Sequence, residues 1–407
     1  MSKNIVICSD GTGQSYAGPD SNVLRLYTLA SKKAPQQIAC YDPGIGTLPL
    51  PTGRTRLGRR IRHLEELSFG FGIIDNLAEL YAYLMRHYTP GDRIFLFGFS
   101  RGAFTVRALA GMLHVCGLLR PDDEHLLQYA AGIYQTSEHR IRLQRRLSGL
   151  PVHQKATRLA PIDHASVDDD ARRFKSRLAQ DCTIAFMGIW DTVKAYGWIW
   201  PRSFPALRHN PCVLAVSHAV SLDEQRSNFQ MTGWGDRHDR IKEVWFAGDH
   251  SDVGGGHRDK SALADATLAW MLGEATHAGL RLDASQRPLI DSIVANSRLA
   301  PAAEPHDLKR GWFRLLEICP RVELDNNTYL PWRHFTCLPS GVRKPGDHTE
   351  CAPLRLHESV RERARSVDSA YDPERLLARA PATPCARGKR PIVVYEPDRK
   401  IIGYDDA

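Results

Sequence analysis

The segment Arg93-Ile-Phe-Leu-Phe-Gly-Phe-Ser-Arg-Gly-Ala-Phe104 runs an apolar strand into Gly98-x-Ser100-x-Gly102 and on into an apolar helix. Ile94 to Phe97 reads as a buried strand, and Ala103 to Leu113, rich in Ala, Val and Leu, as a helix. A serine on so sharp a strand-to-helix turn sits in a strained conformation. Side chains at the flanking positions would collide with strand and helix, and two glycines remove them. The pattern is that of a nucleophile elbow, with Ser100 as the candidate nucleophile.

Working outward, further short apolar runs recur between helical patterns: Ile5 to Cys8, Gln37 to Tyr41, Thr183 to Ile189 and Glu243 to Ala247. Helices are expected at Asn22 to Ala30, Ile73 to His87 and Ala262 to Ala278, and a last strand at Pro391 to Tyr395. Such alternation predicts an α/β-hydrolase-like fold, a mainly parallel sheet covered by helices on both faces. No repeat or domain boundary interrupts it, so residues 1–407 read as a single domain. Residues 121–180, rich in Arg, Gln, Asp and His with helical spacing, fall between two core strands and read as a helical cap insertion. The span 195–240 opens with Ala195-Tyr-Gly-Trp-Ile-Trp-Pro-Arg-Ser-Phe204, four aromatics in a loop, and reads either as a lid or as a loop folded on the core.

A nucleophilic serine needs a base, and the base needs an acid to hold its tautomer. In an open parallel sheet these groups gather beyond the carboxyl ends of the strands. The fourth run ends in Trp190-Asp191-Thr192 and the fifth in Gly248-Asp249-His250-Ser251-Asp252, giving Ser100, Asp191 and His250 in the chain order of α/β hydrolases. Asp249 and Asp252 are alternative acids, and His357 and His257 alternative bases. The first strand ends in Ser9-Asp10-Gly11-Thr12-Gly13. Acyl transfer requires two oxyanion donors, expected here from the Arg101 N–H and from Gly11 or Thr12. Asp10 could brace this loop, contact substrate or share a cation with Asp252. The turn lacks the spacing of dinucleotide- and phosphate-binding loops, and no cofactor or metal is expected.

Composition narrows the setting. Nine scattered cysteines without a C-x-x-C pair read as reduced thiols rather than a disulfide or zinc framework. No leader precedes the first strand and no segment reaches the ~20 apolar residues of a membrane span, so the expectation is a chain that is cytoplasmic as synthesised. A net charge of +8 includes the runs Arg54 to Arg62 and Arg140 to Arg146, which suit anionic surfaces such as a phospholipid headgroup layer.

Four segments together resemble the DUF2235 family, which includes the catalytic domain of Tle1-type phospholipase effectors of type VI secretion. They are Asp10-Gly-Thr12, Gly98-Phe-Ser-Arg-Gly-Ala-Phe104, Gly188-Ile-Trp-Asp-Thr-Val193 and Val244-Trp-Phe-Ala-Gly-Asp-His-Ser-Asp-Val-Gly-Gly-Gly256, and His218-Ala-Val-Ser-Leu-Asp-Glu-Gln-Arg226 also fits. The family usually follows Asp-Gly-Thr with Trp and Asn, where this chain has Gly13 and Gln14. The resemblance implies an α/β-hydrolase fold, a Ser-Asp-His triad at Ser100, Asp191 and His250, and phospholipid ester hydrolysis. Export by a route other than Sec is the matching expectation, and any peripheral membrane contact is expected through the aromatic loop and the basic runs, the other outcome being a soluble ester as substrate. A soluble carboxylesterase or thioesterase, or a non-catalytic interaction protein on the same fold, are the alternatives; nucleic acid is not an expected partner.

Overall fold

The computed structural model describes residues 2–11, 19–44, 72–135, 164–193, 210–224, 226, 229, 231–234, 239–257, 262–306, 321–322, 335–336, 354–366, 371 and 393–405. In chain order the main elements begin with β1 (Asn4–Ser9), α1 (Asn22–Leu29), β2 (Gln37–Asp42), α2 (Gly72–His87), β3 (Arg93–Phe99) and α3 (Arg101–Cys116). They continue with α4 (His164–Leu178), β4 (Ile184–Trp190), β5 (Val216–Ser221) and β6 (Ile241–Phe246). The last are α5 (His250–Gly254), α6 (Ala262–His277), α7 (Arg287–Ser297), β7 (Leu354–His357), α8 (Glu358–Ser366) and β8 (Val393–Glu396).

The eight strands form one sheet in the order β8-β7-β6-β5-β4-β3-β1-β2, and every pairing is parallel. The pleat sends alternate residues to opposite faces. On β3, Ile94 and Leu96 join one core with α2 and α3, while Phe95, Phe97 and Phe99 join another with α1, α6 and α7. Burial on both faces is why these strands read as continuous apolar runs, each fully buried large side chain contributing about 1.5–3 kcal/mol. Strand order reverses at β1, whose neighbours are β2 on one side and β3 on the other. The carboxyl edge at such a switch point leaves a crevice between diverging crossovers.

Two strands depart from the sequence expectation. Val216–Ser221, inside the 195–240 span expected to be lid or loop, is the fully buried strand β5. Its Ser217, His218 and Ser221 interrupt any apolar run, and the burial of His218 and Ser221 is compensated by hydrogen bonds a sequence does not show. Leu354–His357, weighed only for its histidine, is the sheet strand β7. The described parts of the 121–180 insertion are mainly helical: a 3-10 turn at Pro121–Leu126 and α4, whose Phe174 packs into the core beside α3. Residues 136–163 of that insertion, both basic runs and the aromatic loop lie outside the described residues. Cys8, Cys40, Cys116, Cys182 and Cys212 are free thiols. Among the described residues, no helix is long and apolar enough to cross a membrane.

Candidate active site

Pairing across the sheet aligns five strand ends. Ser9 stands opposite Gly98, Phe99 opposite Trp190, Trp190 opposite Ala219, and Ser221 opposite Phe246. The residues that follow therefore meet along one edge.

Ser100 caps α3 in a conformation of φ 56° and ψ −118°, outside the favoured regions of an L-residue. Its N–H donates to the Trp190 carbonyl at 3.1 Å, tying the turn to β4. The flanking glycines are explained by contact: a Cβ on Gly102 would lie 2.0 Å from the Ser9 carbonyl oxygen, and one on Gly98 2.7 Å from the Ala103 backbone. Arg101 opens α3, so its N–H has no partner within the helix. Burial pushes the Arg101 guanidinium down to about 10.

Asp191 follows β4 with φ 35° and is fully buried. Its Oδ1 accepts the Ser221 N–H at 3.1 Å, and its own N–H donates to Ala219 at 2.7 Å. Its Oδ2 lies 2.5 Å from His250 Nδ1. With Asp191 ionised, Nδ1–H is the donor and Nε2 keeps its lone pair. The His250 ring packs against Phe99 and, edge-on, Phe229, with centroids at 4.6 and 4.8 Å. Its backbone N–H donates to Glu224 Oε2 at 3.2 Å.

The structure thus brings His250 to Asp191 and places the alternatives elsewhere. Asp249 caps α5, accepting the N–H groups of Ser251 and Asp252, while Asp252 Oδ2 accepts the Asp249 N–H in return. His357 Nδ1 contacts Ser359 Oγ at 2.8 Å and its Nε2 Asp398 Oδ1 at 3.1 Å, with its ring stacked on Phe246. His257 Nε2 faces Asp249 at 3.2 Å.

Asp10 braces its loop. Its Oδ1 accepts the Gly11 N–H at 2.7 Å, and its Oδ2 accepts from Ser21 Oγ and from Tyr41 OH at 2.8 Å. Burial raises its carboxyl above the usual range, against the opposing effect of those donors. Gly11 stands against the nucleophile, since a Cβ there would be 3.3 Å from Ser100 Cβ, but its N–H is already engaged by Asp10. Thr12 lies outside the described residues, as do Gly13 and Gln14.

Sequence reasoning passed over Ser221, Glu224 and Phe229, which hold Asp191 and His250 in place. Ser221 Oγ donates to the Gly248 carbonyl at 2.8 Å and accepts the Glu224 N–H at 3.1 Å. Glu224 forks onto Arg226, with Oε2 2.6 Å from the guanidinium, and Arg226 lies 3.8 Å over the Phe229 ring. The available signal was their place at the end of β5 and in the short segment that follows it.

A parallel sheet whose third strand ends in a strained serine, with a His–Asp pair delivered by later strands to the same edge, has the layout of an α/β hydrolase. Within that class, the chain belongs to the family described as "T6SS, Phospholipase effector Tle1-like, catalytic domain", which it matches over residues 3–274. A Saccharomyces cerevisiae protein described as "Uncharacterized protein YEL023C" is 34% identical over 238 residues, covering 56% of this chain and 32% of that protein. The chain therefore spans about a third of the length of this relative. Among solved structures, an uncharacterized protein from Pseudomonas aeruginosa aligns with TM-score 0.38 at 20% identity, over 75% of this chain and 51% of that one. The Tle1 effector bound to the VgrG spike from the Type 6 secretion system aligns with TM-score 0.34 at 19% identity, over 63% and 51%.

Proposed function

We propose that this chain hydrolyses phospholipid acyl esters through an acyl-enzyme on Ser100, with His250 as base and Asp191 orienting it. The observation that carries the reading is the 2.5 Å contact of His250 Nδ1 with Asp191 Oδ2, on the sheet edge that also presents the strained Ser100. The family's description supplies the substrate class.

In this mechanism His250 Nε2 takes the Ser100 hydroxyl proton as Oγ attacks the ester carbonyl. The Arg101 N–H, at the start of α3, and the loop of Gly11 and Thr12 stabilise the oxyanion, each donor contributing about 3 kcal/mol to barrier lowering. With the Gly11 N–H held by Asp10, Thr12 is the loop's donor in this reading. The tetrahedral intermediate collapses, and the departing lysophospholipid alcohol receives its proton from His250. Water, deprotonated by His250, then attacks the acyl-enzyme and releases the fatty acid, restoring Ser100. Contact with the lipid surface through Arg54 to Arg62 and the aromatics of 195–204, under a cap formed by 121–180, belongs to the same proposal. So does export by the type VI route that the family's description names.

A fluorophosphonate probe and a substrate panel test the reading. The probe is expected to label Ser100, and Ser100→Ala to abolish both labelling and turnover. Phospholipid vesicles should yield fatty acid and lysophospholipid at rates above those of short-chain aryl esters. Full activity of the Ser100→Ala chain would refute the nucleophile, and turnover confined to aryl esters would refute the lipid assignment.

A further inference from the structure

The chain around α5 holds a second cluster of reactive side chains that ester hydrolysis does not use. Asp249 and Asp252, on either side of His250, are both buried. Two histidines from other segments close over their carboxylates. His306 Nδ1 lies 2.6 Å from Asp252 Oδ1, while His257 Nε2 lies 3.2 Å from Asp249 Oδ1 and 3.8 Å from Asp252 Oδ1. The two imidazoles stack with centroids 3.8 Å apart and planes 18° from parallel. One ligand atom from each of Asp252, His257 and His306 falls within 4.8 Å of the others. Independently, the second Asp249 oxygen, Oδ2, is buried and accepts no hydrogen bond among the described residues.

Two buried carboxylates carry two negative charges, a costly arrangement unless cations neutralise them. A divalent ion neutralises the same pair while both rings stay neutral and each directs a lone pair at the metal. Ligand bonds of about 2.0–2.2 Å in a tetrahedron set neighbouring donor atoms roughly 3.3 Å apart. Two edges of the group, 2.6 Å from His306 Nδ1 to Asp252 Oδ1 and 3.8 Å from His257 Nε2 to Asp252 Oδ1, lie on either side of that value. Imidazole nitrogens select against calcium and magnesium, which take oxygen shells, and for the zinc class of ions.

We propose that Asp252, His257 and His306 form a site for a divalent transition metal of the zinc class, with the Asp249 carboxylate alongside. Three protein ligands leave the fourth position to water, and the role assigned to the ion is to hold chain segments together. It clamps His306, which follows α7, and His257 onto the short helix that presents His250.

The full chain, stripped with a chelator and titrated with Co²⁺, tests this by absorption. One equivalent should bind per chain with the visible bands of four-coordinate cobalt. Zn²⁺ should displace it and raise the Tm of the stripped protein by several degrees. His306→Gln and His257→Gln, each checked for fold by circular dichroism, should weaken Co²⁺ binding at least about tenfold. If the stripped wild-type chain takes up no stoichiometric Co²⁺ at micromolar metal, or if both folded variants bind it as well as wild type, the site is refuted. Fluorophosphonate labelling of the stripped chain separates that result from a failure of the hydrolase assignment, because Ser100 activation is read without the metal.

Discussion

His250 Nδ1 and Asp191 Oδ2 stand 2.5 Å apart although their residues are 59 positions apart in sequence and follow different strands. The same carboxylate accepts the Ser221 N–H through Oδ1, so its rotation is fixed by β5. In Asp191→Asn the amide oxygen would keep the Ser221 bond and turn the NH₂ toward Nδ1. That stabilises the tautomer protonated on Nε2, which cannot accept the serine proton. The expected result is a fall in kcat of about 10²–10⁴-fold with an unchanged circular dichroism spectrum. Unimpaired kcat in a folded Asp191→Asn chain would mean that another group orients the base.

Ser100 holds φ 56°, a region that costs an L-residue about 1–3 kcal/mol. Ser100→Gly removes the side chain that makes this turn strained, at the cost of a more flexible unfolded chain. The net expectation is a stabilisation of up to about 1 kcal/mol together with complete loss of turnover. Ser100→Ala, which keeps a Cβ, should lose turnover without that gain. Thermal melts of the three proteins decide the point, and equal Tm values for Gly and Ala would show that no strain is stored there.

The elbow's second glycine gives the opposite sign. A Cβ at Gly102 would sit 2.0 Å from the Ser9 carbonyl and 2.6 Å from that of Asp10, and both obstacles are backbone atoms of the β1 edge. Relief requires α3 to move away from β1, which separates Ser100 from the Gly11 loop. Gly102→Ala should therefore cost at least about 3 kcal/mol of stability, measured by urea denaturation, and should lower activity even where the chain remains folded.

The elements legible in the sequence are those whose chemistry is local. β1, β3, β4 and β6 are dominated by apolar residues because the sheet is covered on both faces, and Ser100 shows itself through the glycines beside it. β5 was illegible because Ser217, His218 and Ser221 are polar, and the partners of the last two lie on other strands and loops: His218 accepts the Thr192 N–H and contacts Glu243, and Ser221 donates to the Gly248 carbonyl. The position of His250 at a strand end singled it out among 17 histidines. Its orientation depends on Glu224, Phe229 and Asp191, contacts created only by folding. The grouping of His257 with His306 has the same origin, since no spacing rule joins residues so far apart in sequence.

Asp223 provides a pH-dependent reading of the same neighbourhood. It precedes Glu224, accepts the Gly248 N–H at 2.6 Å and takes the Tyr371 hydroxyl at 2.9 Å, linking the segment after β6 to the C-terminal part of the chain. Burial raises its carboxyl from 3.8 to about 6 despite these donors. A carboxyl that is harder to ionise when folded holds its proton between about pH 4 and 6 while the unfolded chain has released its own. The contribution of Asp223 to stability therefore falls as pH rises through that window and is level above it. Asp223→Asn carries no charge and lacks this dependence. The difference in Tm, variant minus wild type, should climb by a few degrees between pH 4 and 6.5 and then stay constant, whatever pH-independent offset the lost oxygen introduces. A difference that is flat across the window, measured by calorimetry in matched buffers, would show that the Asp223 carboxyl titrates as it does in the unfolded chain.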